Sequence, residues 1–261
     1  MPAGALVAMA GLFAASAIQE LAAQSESAAP WSFAVGETAV YDVTFGPVKV
    51  GHASLAVEAS ETISGEDVYR VALELEGGPF FYKINDRTVS WIAPDPLRSL
   101  RFEQILSQGD YRRHRKYELD HAALTYTRYD WDEPTAAYRE HKKERAVPIP
   151  EGALDEIAYL FLARSLPLEI GKTYTFERYF EADGNPASIE VLRRERIRVA
   201  AGRFDTIVIR PLIRTGGMFG EDGDAEVFVS DDPTRRIVLI RTRMSVGELN
   251  MYLREYRAGD G

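Results

Sequence analysis

From Trp31 onward the chain alternates between apolar and polar positions with the two-residue period of half-buried strands. Ala39, Tyr41, Val43 and Phe45 fall on one face, with Asp42 and Thr44 on the other. Ala53, Leu55 and Val57 alternate with His52, Ser54 and Glu58, and Tyr69, Val71, Leu73 and Leu75 alternate with Arg70 and Glu74. Gly46-Pro47 and Ser64-Gly65-Glu66-Asp67 supply the turns between them. The same period returns at Val89 and Trp91, at Leu100, Phe102 and Gln104, and in a hairpin formed by Tyr111–Leu119 and Leu124–Trp131. It continues through Tyr174–Phe180, Ile189–Val199, Phe204–Val208, Ala225–Val229, Ile237–Met244 and Leu249–Leu253. The pattern predicts an all-β fold, mainly antiparallel: a single curved sheet or half-barrel of roughly a dozen strands, one face on a core and the other on water.

One segment breaks the period. Between Asp155 and Ser165 the apolar residues Ile157, Ala158, Leu160, Phe161 and Leu162 follow helical spacing. Asp155 and Glu156 stand at the amino end, where the helix dipole favours them, and Pro150 and Pro167 bound the segment. One short helix near 154–165 is expected to plug one mouth or face of the sheet.

The amino terminus is different in kind. Ala3–Ile18 is an unbroken apolar and small-residue run, shorter than the ~20 residues of a membrane span and suited to a secretory signal. Small residues lead to Ala23, so residues 1–23 read as a cleavable signal, 24–30 as a polar linker and 31–257 as one β-rich domain. No Lys or Arg precedes Lys49, which leaves an internal start or a retained weak anchor as competing readings. The address expected is periplasmic or otherwise exported, with no integral membrane segment after cleavage.

Composition narrows the chemistry. With 31 basic and 40 acidic residues the net charge is −9, which disfavours general nucleic-acid binding. The cysteine count is zero, excluding disulfides, thiolate metal sites and Cys nucleophiles. The histidines His52, His114, His121 and His141 show no H-E-x-x-H or H-x-x-x-H spacing, and Glu221–Glu226 lacks the order of a calcium loop, so no metal and no cofactor are expected. There is no G-x-S-x-G elbow, and Gly216-Gly217-Met218-Phe219-Gly220 lacks a phosphate-loop pattern.

The segments Phe33-Ala34-Val35-Gly36-Glu37 with Tyr41, Gly51, Tyr82–Asp86, Leu154–Arg164 with Leu168-Glu169-Ile170-Gly171, Gly202–Thr206 and Val229–Asp232 occur in an order that resembles a bacterial family of exported proteins known as domain of unknown function 3108. The resemblance runs from about Phe33 to Tyr256 and implies a signal peptide, an envelope address and a mostly antiparallel β-fold. It implies no reaction.

Two kinds of candidate site remain. Asp86 and Asp155 are the carboxylates that the family block singles out as acid–base candidates for an envelope hydrolase, each with a structural role as alternative: an ion pair with Arg87, or a helix cap. The basic strand Tyr111–Tyr117 puts Arg113 and Arg115 on one face with Tyr111 and Tyr117, a surface suited to sugars, phosphates or anionic headgroups. With inward aromatic positions Tyr41, Phe45, Tyr69, Trp91, Phe102 and Phe161, this points to a non-enzymatic binder of an amphipathic ligand: a lipid, a lipoprotein acyl chain or an envelope polysaccharide. Pro79-Phe80-Phe81-Tyr82 reads as a lip to such a pocket. A structural partner in the envelope, working through exposed sheet edges, is the third reading.

Overall fold

The computed structural model describes residues 34–78, 82–214, 224–244 and 247–260. The signal and linker segments, Pro79–Phe81, the Gly216–Gly220 stretch and Glu221–Gly223 lie outside the described residues.

Alternation becomes strands where it was expected, except that the strand expected over Tyr174–Phe180 ends at Phe176. The chain forms β1 (Thr38–Phe45), β2 (Val48–Ile63), β3 (Glu66–Gly77), β4 (Ile84–Pro94), β5 (Leu97–Gln108), β6 (Tyr111–Asp120), β7 (Thr125–Asp132), β8 (Ala137–Glu140) and β9 (Val147–Pro148). After the helix α1 (Glu156–Ser165) follow β10 (Thr173–Phe176), β11 (Ala187–Val199), β12 (Gly202–Leu212), β13 (Asp224–Ser230), β14 (Ile237–Met244) and β15 (Gly247–Arg257). All belong to one large, curved, open sheet of 15 strands, ordered β10-β11-β12-β13-β14-β15-β1-β2-β3-β4-β5-β6-β7-β8, with β9 on β7.

This is a meander whose two chain ends meet in the middle. β1 pairs antiparallel with β15 on one side and β2 on the other. The free edges are β8 and β10, four residues each, and short edges limit unwanted pairing. Register shifts interrupt β2–β3 between Val57 and Ala59 and β4–β5 between Trp91 and Ile92, and such bulges bend the strands that carry them. At the β2–β3 crossing, Gly51 and Gly77 are paired, and a Cβ on Gly51 would sit 2.1 Å from Glu76 O, so the backbones meet there only because neither residue has a side chain.

The chain crosses between the two edges through α1, which lies on the concave side. Asp155 caps it: its carboxylate accepts the Ile157 and Ala158 N–H groups, both at 2.9 Å. Ile157 through Arg164 are all buried, as expected of a helix enclosed on nearly every side. Around it pack Tyr41, Val57, Val71, Ile92, Phe102, Tyr117, Phe180, Ile189, Val227 and Leu253, in one continuous core.

The outer face is not simply the wet one. Val68, Ala72, Val89, Trp91, Ala93 and Leu100 form a second buried cluster, and Val208, Phe228 and Leu239 a third. Long cationic side chains cover them. The Arg101 guanidinium lies 5.2 Å from the Trp91 ring, and those of Arg241 and Arg193 lie 5.0 and 5.8 Å from Phe228. The expectation of one apolar and one aqueous face is corrected on this point: the arginines take the place of water over apolar patches.

Candidate functional site

At one end of the concave face the apolar lining turns polar. The register of β5, β6 and β7 fixes this. Phe102 lies opposite Tyr117, Gln104 opposite Arg115, and Leu106 opposite Arg113. On the other side of β6, Tyr117 faces Arg128 and Arg115 faces Asp130. Residues opposite one another share a face. Phe102, Tyr117, Tyr126 and Phe180 make a buried aromatic layer, with ring centroids 5.1 to 6.0 Å apart. Arg115 and then Arg113 stand beyond it, each one strand period (about 7 Å) further toward the end of the sheet.

These two arginines are half-buried and form no ion pair with a carboxylate among the described residues. Arg115 donates from Nη1 to the Tyr117 hydroxyl at 3.1 Å, and Arg113 from Nη1 to Gln104 Oε1 at 3.5 Å. The Nε of each is buried without an acceptor. Asp130, opposite Arg115, is engaged elsewhere: it accepts from Arg128 Nε and Nη2, both at 3.0 Å, and sits 2.7 Å from His141 Nδ1.

Two further carboxylates act on the pair from the concave side. Glu156, in the first turn of α1, receives the Tyr179 hydroxyl at 3.5 Å. Burial pushes its carboxyl up to about 7, the charges of Asp155 and Glu181 push the same way, and Arg113 opposes them. Glu181 is raised by burial and by Glu144, against the pull of Arg115 and Arg113. A protonated carboxyl near a guanidinium that has no ion-pair partner can donate a hydrogen bond to whatever the arginine binds.

The other sequence candidates are spread over the molecule. Tyr41 is in the core, its hydroxyl donating to Ile237 O at 3.0 Å, and Phe161 is on the buried side of α1. Tyr69 packs partly buried against the core, and Phe45 is 38% exposed at the end of β1. Trp91 lies on the outer face, opposite in sense to Phe102, with Nε1 donating to Glu61 at 2.9 Å. Tyr111 is 44% exposed, with the Arg113 guanidinium 5.4 Å from its ring. Tyr111, Arg113 and Arg115 come together on β6 at the polar end, with Phe102 in the aromatic layer beside them, whereas Tyr41 and Phe161 meet in the core.

Asp155 has both oxygens committed within the fold, Oδ1 to the helix and Oδ2 to the Ser90 hydroxyl at 2.5 Å. Asp86 accepts from Ser107 N–H at 2.9 Å and from the Gln108 amide, not from Arg87, which pairs with Glu58 and Glu74. Asp86 stands four residues, about 13 Å, along β4 from the Ser90 that holds Asp155. Among the described residues no three His, Asp or Glu side chains are grouped to hold a metal, and no helix is long and apolar enough to cross a membrane.

The family model for "Protein of unknown function (DUF3108)" matches residues 40–254. The chain belongs to this family. No curated protein matches it. Among solved structures, this DUF3108 chain is similar to the beta-barrel-like protein of domain of unknown function DUF1849 from Brucella abortus, with TM-score 0.50 and 8% identity over 87% of this chain and 99% of that one. At that identity the likeness is one of fold. A "putative lipoprotein" from Parabacteroides distasonis aligns with TM-score 0.35 and 10% identity, covering 87% and 99% of the two chains. A "putative exported protein with YmcC-like fold" from Bacteroides fragilis aligns with TM-score 0.32 and 11% identity, covering 86% and 97%.

Sequence reasoning did not find Glu181 or Tyr179 in this DUF3108 protein. They lie between β10 and β11, where the strand expected over Tyr174–Phe180 has already ended at Phe176 and the chain is irregular. Glu156 was visible only as an acid at a helix start. The buried ion pair of Arg164 with Glu37, at 2.9 Å, was missed for another reason: its members are 127 residues apart.

Proposed function

We propose that this DUF3108 protein is exported to the cell envelope and there binds an amphipathic ligand, without turnover, at the arginine-bearing end of its concave face. The observation that carries the reading is the register across β6, β5, β4 and β3. Arg113 faces Leu106, the same register brings Leu106 beside Asp86, and Asp86 faces Leu75. Leu106, Leu75 and its neighbour Leu73 on the same face are only partly buried. Arg113 and the leucines therefore share one row, three strand spacings or about 14 Å long, interrupted between Leu106 and Leu75 by Asp86, whose carboxylate is held by Ser107 N–H and the Gln108 amide. A ligand with one polar and one apolar end matches that order, and shaped concave surfaces are where such ligands are held.

Export is supported by the apolar run Ala3–Ile18 and the small residues leading to Ala23. Asp155 supports binding over hydrolysis, because both its oxygens are used within the fold. The test is native mass spectrometry of the protein purified gently from an envelope fraction. A retained lipid-sized mass is expected. Recovery of the intact precursor from the cytosol, or an empty protein that also fails to bind dodecyl maltoside or dodecyl phosphate, overturns the reading.

A further inference from the structure

We propose that the polar end of the ligand is an oxyanion, a phosphate or a carboxylate, held by Arg113 and Arg115 together. This rests on the binding reading above and names the chemical class that the site takes. Four observations carry it. Both guanidinium groups are half-buried on the same face, two residues apart on one strand, without a carboxylate partner among the described residues. The Nε donor of each is buried and unmatched. Asp130, the carboxylate that the register sets opposite Arg115, is held by Arg128 and His141. Gln104, opposite Arg115, offers its carbonyl only at 3.5 Å to Arg113.

A half-buried arginine pair with no ion-pair partner and an unmatched Nε on each is costly for a protein to keep, and an incoming oxyanion is the partner whose geometry suits it. The planar guanidinium fork matches the oxygens of phosphate and carboxylate alike. Neighbouring acids would be expected to repel such a group. Here burial raises the Glu156 carboxyl to about 7 and pushes Glu181 upward as well, which weakens the repulsion that two ordinary carboxylates would exert on an incoming anion. Tyr111, beside Arg113 and exposed at the strand start, flanks the position where the headgroup would sit.

The experiment is isothermal titration of the purified protein with three probes of equal chain length, each below its micelle-forming concentration: dodecyl phosphate, laurate and dodecyl maltoside. The wild type is expected to bind at least one anionic probe about tenfold or more tighter than the maltoside. The Arg113→Gln/Arg115→Gln variant is expected to lose that preference while keeping its maltoside affinity, which also shows that it is folded. The Arg113→Lys/Arg115→Lys variant keeps the charge without the fork and is expected to fall between the two. Phosphate above laurate assigns a phosphate headgroup, and laurate above phosphate assigns a free acid. Equal wild-type affinity for all three probes overturns the oxyanion and leaves amphipathic binding standing. Anion preference surviving in the glutamine variant also overturns it. Binding of none overturns the parent reading and this one with it.

Discussion

The Ser90 hydroxyl on β4 donates to Asp155 Oδ2 at 2.5 Å, so the residue that caps α1 also fastens the helix to the sheet. The joint is reinforced from the other direction, because Ser99 Oγ on β5 accepts the Asp155 N–H at 2.9 Å. All three residues are buried. Replacing Asp155 with Ala removes the cap, roughly 1 kcal/mol, and leaves the Ser90 hydroxyl and two helix N–H groups without partners in a dry place, roughly 1–3 kcal/mol more. Asp155→Ala should therefore lower unfolding stability by about 2–4 kcal/mol in urea titrations. Asp155→Asn, which can still cap, should lose less than half as much. Equal losses for the two variants would mean that the carboxylate matters for something other than capping.

Arg164, near the other end of α1, pins the helix to the opposite side of the sheet. Its guanidinium pairs with Glu37 at 2.9 Å and donates to the carbonyls of Arg235 at 2.9 Å and Thr234 at 3.1 Å. The two side chains are only 4% and 8% exposed, and burial raises the Glu37 carboxyl despite Arg164 pulling it down. Removing one member strands the other, so Arg164→Ala should cost about 3–5 kcal/mol. The double variant Arg164→Met/Glu37→Met should recover part of that loss but not all, because the two carbonyls lose their donor. A double variant less stable than Arg164→Ala would show that the pair itself contributes net stability.

Why some of this was readable and some not is a matter of range. Period-two alternation is local, so the strands of Tyr41, Leu55 and Val71 and the hairpin around Asp120 could be placed from the chain alone. So could the helix, from Ile157 to Leu162, and its cap at Asp155. Which face a residue occupies depends on bulges, and these leave little trace in the pattern. Phe102 stands opposite Ser90, the neighbour of Trp91, so Trp91 points outward; the shift shows on β5, where Leu100 points out and Phe102 in although they are two residues apart. The face shared by Arg113 and Arg115 was legible because β6 has no such shift in its pairings. What they face was not, since Glu156 and Glu181 reach them only through the fold.

Proton binding at Glu156 gives the remaining prediction. Its folded-state value, about 7, lies above the ordinary 4.5, so the folded protein holds this proton more tightly than the unfolded chain does. The associated stability is fully present below about pH 4.5 and is lost as pH rises through about 7. Glu156→Gln carries no such proton and should escape the loss. Its stability relative to wild type should therefore rise between pH 4 and pH 8, by on the order of 2–3 kcal/mol. Asp155, pushed by burial up to about 6, adds a slope of the same sign to both proteins, and most of it cancels in the difference. Urea midpoints measured for the two proteins across that range would decide the matter. Parallel profiles would show that Glu156 titrates in the folded protein as it does in the open chain. They would also remove the neutral acid from the oxyanion site, leaving the two arginines to hold the ligand alone.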